Sequence, residues 1–444
     1  MRMLGWIAVG VLLVGCQERP ANPSALAREQ QAYSELPGLK RTPHQGLQAE
    51  LIRLLDDRAT PLQLAAAERG NPRPQMVAAH PDLPTNPQKA LRESFPALSR
   101  GMLREQMERI DPQRQWRVGP VERELLRDFV QQTSETRIRF HAALERCSDG
   151  FQLDPTHGPL ADLEFLDPLE LGCRLEGLVA VDYLADELVT ESLQPLATML
   201  RAAELLAREP QVTTRLAAAN LRVDALKLLQ EIVRHRKANH AVLQEAHRLV
   251  HDPLRQWPSD AQAWIGDRAS GLITYEIVRD GLYLSLLARE ELERLEAQGI
   301  ARTTARAVIR GVDEDQVFYL ETMRQMIAAC EQPYHARTAA LEQFRGQLES
   351  QQQTQSYPIV AAQLLLTDFE TAHRRQAEDA ARCLAWSVAL QAALSDSAPA
   401  LPPTNPLTGE PFALVREAEQ VTVGRILLGS DESITVPLRR TTAN

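Results

Sequence analysis

The sequence predicts a mainly α protein: a multi-helix bundle or array that ends in a small antiparallel β meander. Three observations carry this prediction. Only 5 % of the 444 residues are aromatic, and Ala, Leu, Arg, Glu and Gln, which favour helices over strands, dominate the composition. Between residues 89 and 396 apolar residues recur every three or four positions, which is the period of a helix. Beyond residue 396 the chain becomes rich first in proline and then in Val, Ile and Thr, which favours turns and short strands.

The first sixteen residues carry the most specific signal in the chain. Arg2 precedes an apolar run that ends in Leu13, Val14, Gly15 and Cys16. The run is about half as long as the ~20 residues needed to cross a bilayer, so it predicts a cleavable secretory signal. The last four residues fit a lipobox. We expect Leu13, Val14 and Gly15 to be recognised by the signal peptidase and Cys16 to become the lipidated first residue of the mature chain.

The expected lipid anchor predicts where the protein acts. Each buried CH₂ of an acyl chain contributes about 0.8 kcal/mol, so several chains on Cys16 would hold the body stably at a membrane. Gln17 rather than Asp follows the cysteine, which in Gram-negative sorting resembles an outer-membrane address with the body facing the periplasm. The sequence therefore predicts a lipid-anchored protein of the cell envelope. The alternative is an ordinary hydrophobic leader with an accidental cysteine.

The prolines divide the chain into four parts. Residues 1–15 are the predicted signal peptide. Ten of the 28 prolines lie before residue 90, so residues 16–88 are expected to form a polar, Pro-rich tether with one short helix. Residues 89–396 are the predicted helical body, and residues 397–444 the predicted Pro-rich turn and small β segment.

The charge of the chain bears on its partners. The formal net charge is −10, which disfavours a nucleic-acid surface. We therefore expect two partners, the membrane through the lipid on Cys16 and a protein of the envelope, and we expect no nucleic acid and no cofactor.

Apolar periodicity places eight candidate helices in the body. The clearest is residues 210–236, in which one apolar stripe extends from Val212 to Val233. Ser259 and Gln262 form a possible capping box, and the carboxylates of residues 313–315 are expected at a helix N-terminus, where the helix dipole favours them. In chain order the candidates are residues 121–146, 175–208, 210–236, 241–254, 259–268, 273–297, 313–350 and 359–395.

Three short strands are predicted near the end of the chain, at residues 412–415, 421–427 and 434–436. Apolar residues alternate in part along the second of them, as in a strand with one buried face. Because two or three strands alone are marginal in water, the meander is expected to pack on the last helix.

Four cysteines remain beyond Cys16, namely Cys147, Cys173, Cys330 and Cys383. An exported protein with an even number of cysteines can form disulfides, and proximity favours a bond between Cys147 and Cys173 across a Pro-rich connection. The alternative is four buried thiols, because free cysteine is a common core residue.

Two histidine patterns resemble metal sites weakly. His240, His247 and His251 fall on one side of a predicted helix, but apolar residues occupy its other side, so a solvated stripe is the favoured interpretation. Glu370 and His373 form a single E-x-x-H pair, whereas di-metal bundles need two copies, and a surface pair is favoured.

The chain lacks the linear motifs of serine hydrolases, penicillin-binding proteins, zincins and nucleotide-binding proteins. An enzyme would need a site assembled from distant residues. A deep cleft gathering the histidines with several of four acidic residues would favour this alternative, whereas a flat apolar groove would favour binding and a large internal apolar cavity would favour a solute carrier. The four acidic residues are Asp182, Asp186, Glu187 and Glu191.

Several segments of the second half resemble a group of uncharacterised, envelope-anchored helical lipoproteins of bacteria. These proteins end in a D-P-hydrophobic-T/S-G-x-P turn followed by a short β segment, and here Asn405 stands where their Asp is expected. The end of the chain also resembles the globular end of type II secretion pseudopilins, although it lacks their leader. The segments that carry the resemblance are residues 209–216, 266–269, 333–334, 357–358 and 403–412.

Taken together, these features predict a lipoprotein that serves as a membrane-anchored scaffold or protein-interaction module of the cell envelope. The alternatives are an envelope hydrolase with an unrecognised site and a periplasmic solute-binding lipoprotein.

Overall fold

The computed structural model describes residues 83–395 and 403–439, except residues 85, 148–149, 152, 154–162 and 355–358. The predicted signal peptide, the lipobox and nearly all of the tether lie outside this part of the chain. Within it, no helix is both long enough and apolar enough to span a membrane.

The described chain is 69 % helical, with 14 α-helices and a three-stranded antiparallel sheet at its C-terminal end, which confirms the predicted fold class. A 3₁₀ helix at Tyr283–Leu286 and a π-helix at Ala361–Leu365 interrupt the series. In chain order the α-helices are α1 (Pro87–Ser94), α2 (Ala97–Ile110), α3 (Glu122–Gln132), α4 (Ser134–Arg146), α5 (Leu166–Ala185), α6 (Leu193–Ala207), α7 (Val212–Arg234), α8 (His240–Leu254), α9 (Asp260–Arg279), α10 (Arg289–Ala297), α11 (Ala301–Arg310), α12 (Val312–Ala329), α13 (Tyr334–Thr354) and α14 (Phe369–Leu394).

Several predicted helices have different ends in the structure. The predicted helix over 121–146 breaks at Thr133, whose hydroxyl donates to the Phe129 carbonyl at 2.7 Å and so competes with the backbone. The helix over 175–208 breaks before α6, where Glu187 has φ +63°. The helix over 313–350 breaks at Pro333, which cannot donate a backbone hydrogen bond.

Two further boundaries were placed wrongly by the apolar pattern. Residues 259–268 and 273–297 were predicted as separate helices, but α9 runs through residue 279 without a break. The helix predicted from residue 359 instead begins with the π-helix, and α14 follows Asp368, which has φ +56°. Each helix thus ends where a local backbone conformation changes, a feature that apolar periodicity does not report.

The C-terminal sheet has the order β1-β2-β3, with β1 at Ala413–Arg416, β2 at Gln420–Gly424 and β3 at Ile434–Pro437. In its register Leu414 lies opposite Val423, and Val421 lies opposite Val436. The apolar side chains of β2 and β3 are buried, and these strands pack on α14. The predicted meander and its dependence on the last helix are therefore confirmed.

The Pro-Gly turn that precedes the sheet is built around Asn405, which is fully buried. Its side-chain amide donates to the carbonyls of Arg425 and Ile426, both at 2.9 Å, and its Oδ1 accepts from the backbone N–H of Leu407. An amide at this position therefore fastens the turn to the end of β2, because it supplies two donors where an aspartate would supply none.

The apolar core consists of two clusters. The first contains residues of α1–α8, the second half of α14 and the sheet, whereas the second contains residues of α9 and α11–α13, the π-helix and the first half of α14. Both long helices, α7 with 23 residues and α14 with 26, contribute to both clusters. The two clusters therefore meet along α7 and α14.

One close backbone contact holds α9 to the start of α7. A Cβ atom built on Gly266, in α9, would lie 1.5 Å from the carbonyl oxygen of Pro210. Any side chain at this position would therefore push the two helices apart, so only glycine fits here.

We expect Gly266→Ala to destabilise the protein by about 1–3 kcal/mol or more, because backbone atoms must move to admit the methyl group. Gly346→Ala is the matched control, since Gly346 is also helical and a Cβ there meets nothing within 4 Å. That variant should gain about 0.5–1 kcal/mol from helix propensity. Urea unfolding followed by circular dichroism measures both changes. Equal effects of the two substitutions would contradict the contact.

Candidate functional site: a buried charged network

A layer of charged and polar side chains lies between the two apolar clusters, and we call it the junction network. All of its members except Asp260 are at least nine-tenths buried, although side chains of these types are rarely buried unless they are paired. The network consists of Arg215, Arg222, Arg337, His373, Gln376 and Asp379, together with the partly buried Asp260.

Arg222 and Asp379 form the centre of the network and join α7 to α14. The Nε atom of Arg222 lies 3.0 Å from both carboxylate oxygens, and its Nη2 lies 2.7 Å from Oδ2. Nη1 donates to the carbonyl of Ala203 in α6 at 3.2 Å, and the guanidinium lies 4.5 Å from the ring centroid of Trp257. Three helices and the α8–α9 connection are thus fixed by one arginine.

Asp260, at the start of α9, joins two further arginines. Its Oδ2 lies 2.8 Å from Nη2 of Arg337, and its Oδ1 lies 3.5 Å from Nη2 of Arg215. Arg215 also donates to the carbonyls of Ala207, at 3.0 Å, and Pro258. Burial lowers the pKa of Arg215 to about 10, so the group remains charged at neutral pH.

His373 extends the network on α14. It is fully buried and stacks on Trp264, with 4.5 Å between ring centroids, and its Nδ1 lies 3.4 Å from Nη1 of Arg337. Burial and, next, the charge of Arg337 lower the pKa of His373 to about 3. The imidazole is therefore neutral at physiological pH.

Cys330 lies beside His373, with 4.0 Å between Sγ and Nδ1. A cysteine next to a histidine is the arrangement of a thiol nucleophile, but the nucleophile is the thiolate. Burial raises the pKa of Cys330 to about 12, so the thiol stays protonated at neutral pH. The pair therefore serves packing rather than covalent catalysis.

Two adjoining clefts reach the network and share Trp257 as a wall. The larger is lined mostly by apolar side chains, and half of its lining residues are apolar residues of α6, α7 and α8. The smaller has no room for a water molecule and is lined by Arg215, Trp257, Asp260, Gln376 and Asp379. The smaller cleft thus brings both acidic groups and an amide of the network to one place.

The three histidines considered as metal ligands do not form a metal site. Among the described residues no group of three or more His, Cys, Asp or Glu side chains is placed to hold a metal ion. His247 and His251 are partly buried and stack on each other at 4.9 Å, and His251 Nδ1 lies 2.9 Å from Ser387 Oγ. The solvated-stripe interpretation is therefore wrong for these two residues, because α8 packs that side on α14.

The acidic residues of the enzyme alternative do not gather with the histidines. Asp186 pairs with Arg127 at 2.6 Å, and Glu187 pairs with Arg236 and Lys237. Burial and the nearby Asp186 raise the pKa of Asp182. These carboxylates, with the exposed Glu191, lie at the end of α5 and in the α5–α6 connection, whereas the two clefts involve other acidic residues.

Of two other acidic patterns, one differs from its prediction and the other is confirmed. Glu370 pairs with Arg345 at 3.1 Å while His373 lies in the core, so the predicted surface pair does not form. The carboxylates of residues 313–315 lie in the first turn of α12, as predicted, and Asp315 also contacts another element. It accepts hydrogen bonds from the backbone N–H groups of Val360 and Ala361 and from the Tyr275 hydroxyl, and so fastens the start of the π-helix.

The four body cysteines are free and buried in the structure. Cys147 and Cys173 are not joined, so the structure has the alternative arrangement of buried thiols. Burial raises the pKa of both, and the Cys147 thiol donates to the Ala143 carbonyl at 3.3 Å.

Sequence reasoning missed a buried carboxyl group, Glu209, between α6 and α7. It accepts hydrogen bonds from the backbone N–H groups of Phe151 and Leu153, and burial raises its pKa to about 7. Nearby, Asp267 of α9 accepts from the backbone N–H of Val212, and burial raises its pKa to about 7 as well. Both residues lie in segments that carry the resemblance, residues 209–216 and 266–269, but nothing in those segments marks a buried carboxyl group.

Stability should depend on pH through Glu209. The pKa of Glu209 in the folded protein is raised above its value in the unfolded chain. Its contribution to the stability of the fold is therefore fully present below about pH 4.3 and is lost as the pH rises through 7. Over this range we expect the free energy of unfolding of the wild type to fall by up to about 3 kcal/mol more than that of Glu209→Gln. Denaturant midpoints at several pH values measure the difference. Glu293→Gln, at an exposed ion pair, is the control, and parallel pH curves for all three proteins would contradict the assignment.

Comparisons with known proteins assign no family to the chain. No family model matches the chain. No curated protein and no solved structure matches it either.

Proposed function

We propose that the protein is a lipid-anchored, helical interaction module of the bacterial cell envelope. In this proposal, lipid on Cys16 holds it at the membrane, in a Gram-negative cell at the outer membrane facing the periplasm. The residues that follow Cys16 carry the helical body away from the bilayer, and one face of the body binds another envelope protein. The lipobox supports the anchor, and the surface of the body supports the binding role.

The distribution of exposed apolar side chains is the observation that carries the binding role. Eight large apolar side chains are exposed in the described part of the chain, and five of them lie between residues 102 and 188. Isolated exposed apolar residues are ordinary, whereas a concentration of them indicates an interaction surface. The five are Met102, Val121, Leu125, Ile138 and Leu188.

These side chains belong to elements that contact one another. Helix α3 packs on α2, α4 and α5, and Arg127 of α3 pairs with Asp186 in the α5–α6 connection that carries Leu188. Val121 and Leu125, at 78 % and 54 % exposure, are four residues apart at the start of α3 and therefore lie on one side of it. We call the surface around Val121 and Leu125 the α3 face. It belongs to the helices that follow the proposed tether in the sequence.

The alternatives have less support. An envelope hydrolase would need an accessible acid, base or nucleophile, but the charged side chains at the two clefts are engaged in ion pairs. A solute carrier would need a large apolar cavity, and the larger cleft has room for about one water molecule.

The anchor is tested by Cys16→Ala. The mature wild type should be recovered in the membrane fraction and should incorporate radiolabelled palmitate, because the thiol carries the lipid. The variant should remain soluble after carbonate extraction and carry no label. Membrane recovery of the variant equal to that of the wild type would contradict the proposed anchor.

The binding role is tested at the α3 face. A photo-crosslinking amino acid at Leu125 should yield a discrete crosslinked product in intact cells, because a docked partner lies within reach of that side chain. The same amino acid at Leu282, which is equally exposed on a different element, is the matched control and should yield none.

Substitutions complete the test. Val121→Asp with Leu125→Asp should abolish copurification of the crosslinked partner, whereas Leu282→Asp with Leu428→Asp should leave it unchanged, and all proteins should unfold at similar temperatures. Identical crosslinking at the two positions, or no product at Leu125, would contradict a partner at the α3 face.

A further inference from the structure

Helix α11 carries a row of exposed positive charges. Arg302, Arg306 and Arg310 follow one another at four-residue intervals, and all three are exposed. At about 100° per residue they lie within about 80° of one another, on the side of α11 opposite the buried Ala301 and Val308. We call these three residues the arginine stripe.

Among the residues that the structure describes, no carboxylate forms an ion pair with the arginine stripe. Helix α11 itself contains no acidic residue. Helix α10 packs on α11, but two of its carboxylates are paired within α10, Glu293 with Arg289 at 2.8 Å and Glu291 with Arg294 at 2.6 Å. The stripe therefore differs from the two arginines of α10, each of which has a partner on its own helix.

The arginine stripe is unfavourable for the helix that carries it. Like charges four residues apart destabilise a helix, and Arg302 lies in the first turn, where the helix dipole disfavours a cation. Helix α11 has only 10 residues, a length at which a helix has little stability of its own. A face that only had to contact water would be more stable with alternating charges, so the stripe indicates an anionic partner.

The spacing of the stripe fits carboxylates on a second helix. Successive arginines are about 6 Å apart along the helix axis, because each residue of an α-helix advances about 1.5 Å. A helix with an acidic residue at every fourth position has the same interval. A guanidinium binds a carboxylate through two parallel hydrogen bonds, so each arginine can hold one acidic side chain.

An anionic bilayer and a second copy of the chain fit less well. A helix that binds a bilayer surface inserts its apolar side chains into the bilayer, but those of α11, among them Val308 and Ile309, pack into the second cluster. The formal net charge of −10 opposes the approach of the chain to an anionic surface and to another copy of itself.

We propose that the arginine stripe docks an acidic helical segment of a partner protein, with carboxylates at four-residue intervals. Helix α11 packs on the 3₁₀ helix and on α9, α10 and α12, whereas the α3 face lies on early helices of the first cluster. The stripe is therefore a second docking surface, and it does not depend on the first. Exposed ion pairs are individually weak, so this contact is sensitive to salt.

Binding of a synthetic peptide tests the stripe. The ligand is a fluorescein-labelled, Ala-rich helical peptide of about 20 residues with Glu at three positions four residues apart, and the control peptide has Gln in place of Glu. Fluorescence anisotropy at low ionic strength measures binding to the full mature chain, purified in a nonionic detergent. We expect the Glu peptide alone to bind, with an affinity that falls as salt is added. Equal binding of the two peptides, or no binding of the Glu peptide, would overturn the proposal.

Arg306→Glu separates binding from folding. This variant should bind the Glu peptide at least about tenfold more weakly, because an attraction becomes a repulsion. It should unfold at the same temperature as the wild type or at a higher one, because the new carboxylate lies four residues from both Arg302 and Arg310. Arg289→Glu, at an exposed position on α10 with the same change in net charge, is the matched control and should bind as the wild type does. An equal loss of binding in the two variants would contradict a contact at the stripe.

A charge exchange tests the pairing directly. A peptide with Lys in place of the central Glu should bind Arg306→Glu at least about tenfold more tightly than it binds the wild type, because the attraction is restored. The same affinity for both proteins would show that the central carboxylate does not meet Arg306.

The other two occupants give different results. Cosedimentation of the Cys16→Ala chain with vesicles that contain phosphatidylglycerol, lost in Cys16→Ala with Arg306→Glu, would assign the stripe to a bilayer. Concentration-dependent dimerisation of the wild type in sedimentation velocity, lost in Arg306→Glu, would assign it to a second copy. Either result would overturn the acidic partner.

Discussion

The fold depends on the buried ion pair between Arg222 and Asp379. The two apolar clusters share α7 and α14, and this pair fixes the relation of those helices at the level where the clusters meet. Removing one partner of a buried pair leaves an uncompensated charge and typically costs about 3–5 kcal/mol. A hydrophobic pair could be equally stable, but the guanidinium also fixes the Ala203 carbonyl and the Trp257 ring, so the pair sets the relative positions of the surrounding elements.

The rest of the junction network follows from this constraint. With α7 and α14 fixed, Arg215 and Arg337 converge on Asp260 from two different helices, and His373 and Gln376 are held on the side of α14 that faces the interior. The pKa values of His373 and Cys330 are displaced chiefly by burial. A neutral imidazole and a protonated thiol are poorly suited to acid–base or nucleophilic chemistry at neutral pH.

The proposed docking surface and the junction network lie in different parts of the molecule. The α3 face is formed by early helices of the first cluster, whereas the junction network lies between the clusters. Glu209 connects these regions, because it fastens the chain between α4 and α5 to the start of α7.

The sequence by itself determined the mainly helical class, the apolar face of α7 and the C-terminal meander, because helical period and strand alternation are local properties. It also predicts the lipobox at Cys16. Only the tertiary structure decided that His373 lies in the core, that Asp315 fastens the π-helix and that Asp379 meets Arg222 across 157 positions. A charged residue on a helix has the same local pattern whether it faces water or an arginine, and its role is set by the helix packed against it.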